Sequence, residues 1–315
     1  MAKGKVSGSD VAESPASVAS ALAASRDMCR RRGGGLFFAY SFLPQRKRDA
    51  ACAVFAFRSM IDDVLAAPTA QGGCCSGGTA DSTTGLLRER IDDVYAGMLD
   101  LPAPDERTTE HHVLSVVMHV VREFEVPKSC FVDVVNARQS ERQIKRYPTW
   151  SRLENHCAQL EGSFAEATSC VLGLTHSDAR QHAISFGTAL RLTQIFRDLK
   201  NDSSQGRIYL PLEDLARFRY SERDLTAGVV NDAFRELMRF EITRARELYR
   251  AAATGLRWLA GDGSRLAASI ILVMNEGILD AIEANGYDVF ARPTTVSLSR
   301  RIVLAPRAWK LARGV

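Results

Sequence analysis

Residues 187 to 211 read GTALRLTQIFRDLKNDSSQGRIYLP, and this stretch decides how the rest of the chain is interpreted. Asp198 and Asp202 lie four residues apart, so on a helix both carboxylates share one face. The apolar residues around them recur at helical spacing: Ala189, Leu190, Leu192, Ile195 and Phe196. An ionised pair in such surroundings needs a cation, whereas a solvated acidic helix end is the alternative interpretation of the spacing.

Arginines accompany this acidic pair on both sides. Arg191 and Arg197 precede it, and Arg207 follows the Ser-Ser-Gln-Gly break. Carboxylate oxygens are the ligands that Mg²⁺ prefers in proteins, and arginine pairs well with phosphate oxygens. The stretch therefore predicts a helix that binds magnesium together with a phosphate or diphosphate, with Asp198 and Asp202 as metal ligands.

The composition is typical of a soluble globular protein, with 46% hydrophobic and 25% charged residues in a chain of 315. The net charge of +4 is modest and argues against a nucleic-acid partner, while it fits an anionic ligand or peripheral contact with a membrane surface. Seven cysteines without CxxC spacing favour a reducing, cytoplasmic location over a disulfide framework or zinc site. No apolar run reaches the roughly 18 residues of a membrane-spanning helix.

Helical periodicity recurs along the chain and strand-like alternation is almost absent, which predicts an all-α fold: a single-domain helical bundle around a central cavity. Residues 1–16 are small and polar and are predicted to be a disordered leader, so the domain covers residues 17–315. Residues 68–85 are predicted to be a loop, and a polar connection is expected after Pro211. The predicted helices cover 18–32, 47–67, 86–99, 110–124, 127–146, 151–172, 176 to the opening stretch, 230–259, 264–285 and 297–312.

Five segments together resemble the squalene/phytoene synthase family over about residues 34–312. They are FFAYSFLPQRKRDAACAVFAF, IDD, YPTWSRLENHC, LTQIFRDLKNDSSQGRIYLPLEDL and ILDAIEANGYDVFAR. The fourth is the most specific, because RDxxxD is followed five residues later by RIYLP. The resemblance implies an isoprenoid-synthase-like bundle and a prenyltransferase. Its reaction would join two all-trans prenyl diphosphates, geranylgeranyl or farnesyl, head to head through a cyclopropylcarbinyl diphosphate to phytoene or a squalene-type hydrocarbon.

The resemblance also implies roles for acidic residues. Asp62 and Asp63 stand where the first aspartate motif begins, and Asp198 and Asp202 form the second. All four would bind magnesium, with manganese as the alternative, and Asp62, Asp198, Asp202 and Tyr209 would act in catalysis. NADPH is not expected, because the IEANGYDVFAR string and the absence of a C-terminal membrane anchor favour a phytoene-type product.

Binding of the prenyl diphosphate substrate is assigned by the same resemblance to a set of basic, polar and aromatic side chains. Arg207 and Tyr209 match the positions that meet the diphosphate and the reacting intermediate. Aromatic walls would exclude water from a carbocation. The implied substrate-binding residues are Arg58, Arg191, Gln194, Arg197, Arg207, Phe38 and Phe164.

The first motif departs from the family pattern Arg-x-x-Asp-Asp-x-x-Asp. Ser59 occupies the arginine position and Ala66 the position of the last aspartate. Arg58, one residue earlier, is expected to point away from the face of Ser59, because a helix turns about 100° per residue. Glu161 replaces a small residue, and it is either a substitute ligand or a disruption of the pocket.

These departures keep a second class of function open, in which a catalytically impaired homologue binds prenyl diphosphates or serves as a partner protein. Such a protein would form a homodimer or pair with an active paralogue. A third class is a hydrolase or lyase that uses one prenyl diphosphate. It would release a monomeric alcohol or diene.

Overall fold

The computed structural model describes residues 15–66, 79–99, 108–291 and 298–314. These residues form fourteen α-helices, one π-helical turn and one 3₁₀ turn, and their extended backbone pairs only at two isolated bridges. The elements are α1 (Pro15–Arg32), α2 (Gly35–Tyr40), α3 (Gln45–Ala66), α4 (Thr79–Ala96), α5 (Thr109–Glu123), α6 (Lys128–Gln143), α7 (Trp150–Cys157), the π-helical turn (Ala158–Gly162), α8 (Ser163–Leu172), α9 (Ala179–Ser204), α10 (Leu212–Arg217), α11 (Glu222–Ala227), α12 (Asp232–Gly255), the 3₁₀ turn (Leu256–Trp258), α13 (Ser264–Ala284) and α14 (Leu298–Arg313). The prediction of a single all-α bundle is confirmed.

Helix α9 is central to the bundle and carries Asp198 and Asp202. It packs against α12, α8, α13 and the π-helical turn. Leu192, Ile195 and Phe196 are buried on its inner face, as their spacing predicted. A buried hydrogen bond of 2.9 Å between Thr193 Oγ1 and Tyr249 Oη fixes α9 against α12. Helix α3, which carries the first aspartate pair, packs against α1, α5 and α8.

Short polar side chains and glycine set several helix ends. Asn231 Oδ1 accepts a hydrogen bond of 2.9 Å from the amide of Phe234 at the start of α12. Thr149 occupies the N-cap position of α7, but its side chain makes no capping bond. At the end of α9, Gly206 has φ of +73°, which lets the Arg207 amide donate back to the Asp202 carbonyl oxygen at 2.9 Å.

Three predicted boundaries are wrong, and burial explains two of them. Residues 79–85 belong to α4 rather than a loop, because Thr84 and Leu87 pack into the core. The connection after Pro211 contains α10 and α11, which Leu215 and Leu225 anchor. The predicted helix over 151–172 is interrupted by the π-helical turn. The rest of the predicted loop, 68–78, and residues 1–14 of the predicted leader lie outside the described residues.

The π-helical turn lies where α9 approaches most closely. A Cβ atom built on Gly187 would overlap the backbone carbonyl of Glu161 and lie 2.5 Å from the backbone nitrogen of Gly162. Glycine at position 187 therefore permits a backbone-to-backbone contact that any other residue would prevent. Among the described helices, none is both long enough and apolar enough to cross a membrane.

Candidate active site

A cavity of about 510 Å³ lies between α3, α9 and α13 and is closed by the junction of α1 and α2. Four of the predicted site residues lie on its polar wall: Arg58, Asp62, Gln194 and Arg197. The rest of the lining is largely apolar and includes Leu36, Phe55, Ile271, Met274 and Ile278. The cavity therefore combines charged and hydrocarbon surfaces within one space.

Helix α3 presents a broad face to this cavity. Phe55, Arg58, Ser59 and Asp62 all line it, at the i, i+3, i+4 and i+7 positions of one helix face. The expectation that Arg58 points away from the face of Ser59 is wrong, because a cavity-facing stripe is wider than the 100° between neighbours.

Arg58 is the counter-ion of Glu161. Its Nη1 donates to Oε2 of Glu161 at 2.8 Å, and its Nη2 contacts Oε1. The Glu161 side chain is 1% exposed and comes from the π-helical turn, while the guanidinium of Arg58 lies 5.1 Å from the ring centroid of Phe164. The Glu161 carboxylate is thus neutralised by an arginine, with Phe164 beneath the pair.

Both residues of the first aspartate pair form ion pairs with arginines. Nε of Arg138 lies 2.7 Å from Oδ1 of Asp62, and Nη1 of Arg32 lies 2.7 Å from Oδ2 of Asp63. Burial raises the pKa of Asp62, and the charges of Arg138 and Arg58 offset part of that rise. Arg32 and Asp63 are both about half exposed, so their pair lies at the rim.

Glu141 is the hub of a buried network behind the cavity. Arg138 donates to its Oε2 at 2.7 Å, and Arg191 donates to its Oε1 at 2.6 Å. Tyr209 Oη and His156 Nε2 each lie 3.0 Å from the same Oε1. Burial alone would raise the pKa of Glu141, but the bond with His156 and the charges of Arg191 and Arg138 hold it well below its usual value.

The second aspartate pair has a more open environment. Both oxygens of Asp198 accept from the guanidinium of Arg197, its neighbour in sequence, at 2.8 and 2.6 Å. The Asp202 carboxylate has no hydrogen-bond or ion-pair partner among the described residues. Burial, reinforced by the charge of Asp198, raises its pKa to about 6 despite the arginines Arg191 and Arg207 nearby.

Two of the predicted aromatic residues have different environments. Phe164 is buried under Arg58. Phe38 is 56% exposed and lines an apolar groove of about 680 Å³ between α2, α13 and α14, together with Phe42 and Trp309; this groove adjoins the cavity at Met274. The structure therefore places Phe38 away from the polar wall that contains Asp62.

Sequence reasoning missed Arg138 and Glu141, which connect the two halves of the site. They lie one turn apart on α6, in the segment RQSER. A basic and an acidic residue at this spacing are typical of an exposed helix face. The signal that would have identified them is burial, and that arises only when α6 packs against α8 and the π-helical turn.

An all-α bundle whose central cavity is bordered by an RDxxxD helix defines the isoprenoid-synthase class of fold. The chain belongs to the squalene/phytoene synthase family, whose model matches residues 30–302. It is accordingly a prenyltransferase, and the resemblance seen in the sequence is confirmed.

Relatives and solved structures agree with this assignment. The chain is 31% identical to a 15-cis-phytoene synthase of Synechocystis sp. over 95% of this chain and 87% of that protein. It is 30% identical to a phytoene synthase of Arthrospira platensis over 86% of each. The fold is similar to the crystal structure of a dehydrosqualene synthase in complex with ligand, with a TM-score of 0.82 at 22% identity over 95% of this chain and 98% of that one.

Proposed function

We propose that the chain condenses two all-trans prenyl diphosphates head to head, through a cyclopropylcarbinyl diphosphate, to a phytoene-type hydrocarbon. The observation that carries this proposal is the cavity itself. Arg58, Gln194 and Arg197 offer hydrogen-bond donors to the cavity, and apolar side chains form much of the remaining lining. A prenyl diphosphate has the matching chemistry, an anionic head and a hydrocarbon tail, and the two relatives named as phytoene synthases support the choice of product.

Magnesium, or manganese in its place, fits the second aspartate pair. Asp202 has no partner among the described residues, and Asp198 pairs only with its neighbour Arg197, both being more than a third exposed. No cluster of three or more histidine, cysteine or acidic ligands occurs in the part of the chain that the structure describes. Magnesium suits such a site, since it usually binds one or two carboxylates and completes its shell with phosphate and water. When bound, it would neutralise the departing diphosphate.

The arginines would orient and neutralise the diphosphates. Arg207 Nε is buried without a hydrogen-bond partner, so it has a donor available for a phosphate oxygen. Arg191 is held by Glu141 and keeps its charge near Asp202. Tyr209 donates a hydrogen bond to the same Glu141. Burial, together with the negative charge of Glu141, raises the pKa of the Tyr209 phenol to about 12. Tyr209 would therefore remain neutral beside a developing carbocation.

The apolar wall would protect the carbocation from water. Phe55, Ile271 and Ile278 line the cavity with hydrocarbon alone and carry no lone pair that could add to a cation. Excluding water in this way preserves the reactive intermediate until the second bond forms.

The experiment is incubation of the purified chain with Mg²⁺ and farnesyl or geranylgeranyl diphosphate, with diphosphate release and hydrocarbon products measured together. Asp202→Asn serves as the matched variant, because it removes one charge without changing side-chain size. We expect release and a coupled hydrocarbon from the natural chain and a loss of about 100-fold or more in the variant. No release from either substrate, beside an active control enzyme, contradicts the proposal.

One observation favours the alternative of a catalytically impaired, prenyl-diphosphate-binding homologue. Asp62 and Asp63 are both paired with arginines, and Ala66 offers no carboxylate one turn further on. The double variant Ser59→Arg/Ala66→Asp tests it by restoring the family pattern. A large gain in turnover would show that the missing groups limit catalysis. Tight binding of a prenyl thiodiphosphate without turnover in either form would favour the binding role. An alcohol or diene of one prenyl unit would instead indicate the hydrolase or lyase class.

We also propose peripheral contact with a membrane through the groove lined by Phe38, Phe42 and Trp309. These three aromatic side chains are each more than 40% exposed, and Lys310 and Arg313 lie exposed beside them on α14. Aromatic and basic residues in this combination are typical of helices that bind at a lipid surface. Co-sedimentation of the chain with anionic vesicles tests this contact. If the Phe38→Ser/Trp309→Ser variant sediments with the vesicles as much as the natural chain does, the proposal is contradicted.

A further inference from the structure

Arg138 lies between Asp62 and Glu141 and has no role in the chemistry proposed for the second aspartate pair. It bridges Asp62 and Glu141, with ion-pair distances of 2.7 Å to each, and its side chain is 17% exposed. Because Glu141 is itself 9% exposed, moving Arg138 away would weaken the neutralisation of a buried carboxylate. The guanidinium is therefore held by the buried Glu141 and forms an ion pair on its other side with Asp62, which is 40% exposed.

The arginine at the second aspartate pair is held much less firmly. Among the described side chains, Arg197 pairs with Asp198 alone, and these two are 35% and 41% exposed. Ion pairs with such exposure contribute little to stability, so an incoming cation can displace Arg197 at small cost. Asp202 then supplies a second carboxylate on the same helix face.

The donor set at the first pair does not fit a metal ion. Asp62 lacks a carboxylate one turn further on, where α3 ends with Ala66. Two other acids act on Asp62: Glu161 is neutralised by Arg58, and Glu141 by Arg138 and Arg191. Asp63 lies at the rim and pairs with Arg32. A divalent cation at Asp62 would have one carboxylate, already in contact with a guanidinium.

We infer that Arg138 takes the place of a metal ion at Asp62, so that this chain binds its divalent cation only at Asp198 and Asp202. The inference deepens the proposed function, on which it rests for the choice of ligand. A guanidinium supplies one fixed positive charge and directional donors, and it needs no free metal ion to do so. Asp62 thereby becomes a positioning residue for Arg138 rather than a metal ligand.

The test counts bound Mn²⁺ by the electron paramagnetic resonance signal of the free ion, with the full chain in the presence of inorganic diphosphate. We expect Asp62→Asn to leave Mn²⁺ affinity within about twofold of the natural chain. Asp202→Asn should weaken it about tenfold or more, since even outer-shell changes at metal sites cost that much. Arg138→Met should add a second, weaker class of Mn²⁺ sites by uncovering Asp62, and circular dichroism confirms that each variant is folded.

Equal weakening by Asp62→Asn and Asp202→Asn would overturn the inference, as would a natural chain that binds no Mn²⁺ with diphosphate present. If Arg138→Met does not fold, the two aspartate variants still decide the question. The readout is independent of turnover. A chain that shows this Mn²⁺ pattern but releases no diphosphate from prenyl substrates would contradict the proposed function and leave the inference standing.

Discussion

Gly187→Ala tests the contact on which the site's geometry depends. In the natural chain the backbone of α9 lies against the π-helical turn, and the added methyl would overlap the carbonyl of Glu161 and lie 2.5 Å from the Gly162 nitrogen. Cβ atoms essentially never approach other atoms within 3.0 Å, and backbone cannot rotate away as a flexible side chain can. One of the two helices must therefore shift.

The expected cost follows from two opposing terms. Overpacking a tight core costs about 3 kcal/mol at the upper end of its usual range, which backbone overlap justifies. Replacing glycine by alanine within a helix returns about 1 kcal/mol. The net expectation is a loss of about 2 kcal/mol in the free energy of unfolding. Gly85→Ala is the matched control, because Gly85 lies in α4 with no atom within 4 Å of its added Cβ, and it should gain about 0.5–1 kcal/mol.

Urea unfolding of the two variants and the natural chain measures this difference, with the slope m checked for constancy. The shift should also move Glu161 relative to Arg58 and change the affinity of the cavity for a prenyl thiodiphosphate. If Gly187→Ala proves as stable as Gly85→Ala, the close approach of α9 to the π-helical turn is not what holds these elements in place.

Three further outcomes are expected. Glu241 and Asp214 share the single guanidinium of Arg244 at 2.8 and 3.0 Å, and burial raises the pKa of Glu241 from 4.5 to about 8. This group therefore favours folding most below pH 4.5, and its contribution falls as pH rises and is lost once pH passes 8. The free energy of unfolding should fall by about 3 kcal/mol between pH 6 and 9, and Glu241→Gln should remove this slope. Glu141→Gln should destabilise the chain by about 3 kcal/mol in chemical unfolding, because it leaves the buried Arg191 without its carboxylate and Arg138 with Asp62 alone, and a neutral effect would contradict the hub role. Asn231→Ala should lower thermal stability by about 1 kcal/mol through loss of the α12 cap, whereas Asn231→Asp should retain it.

The sequence alone was sufficient for the class of fold and for part of the site. Helical periodicity is local, so α9 and the shared face of Asp198 and Asp202 follow from spacing within 25 residues. Spacing could not show that Arg138 on α6 reaches Asp62 on α3, because the two are 76 residues apart and meet only through tertiary packing.

The same distinction explains the errors in element boundaries. Residues 79–85 have a loop-like composition, yet burial of Thr84 outweighs their weak helix propensity. The π-helical turn lies against the backbone of α9 at Gly187, and the composition of residues 158–162 gives no signal of this backbone contact. Local pattern therefore predicted the long helices but not α2, α10 or α11, while contacts between helices decided where the elements begin, end or change pitch.

Because of the π-helical turn, the number of residues between α7 and α8 affects the geometry of this site. A π-helical turn holds one more residue than an α-helical path over the same distance, and each residue of a helix turns the next by about 100°. His156 lies before it and contacts Glu141, while Glu161 lies within it and contacts Arg58. Deleting a single residue such as Gln159 would let α7 and α8 join as one regular α-helix, and the Glu161 side chain would then lose its present direction toward Arg58. Insertions and deletions in this turn therefore change the direction in which the side chains of the turn point, which no substitution can reproduce.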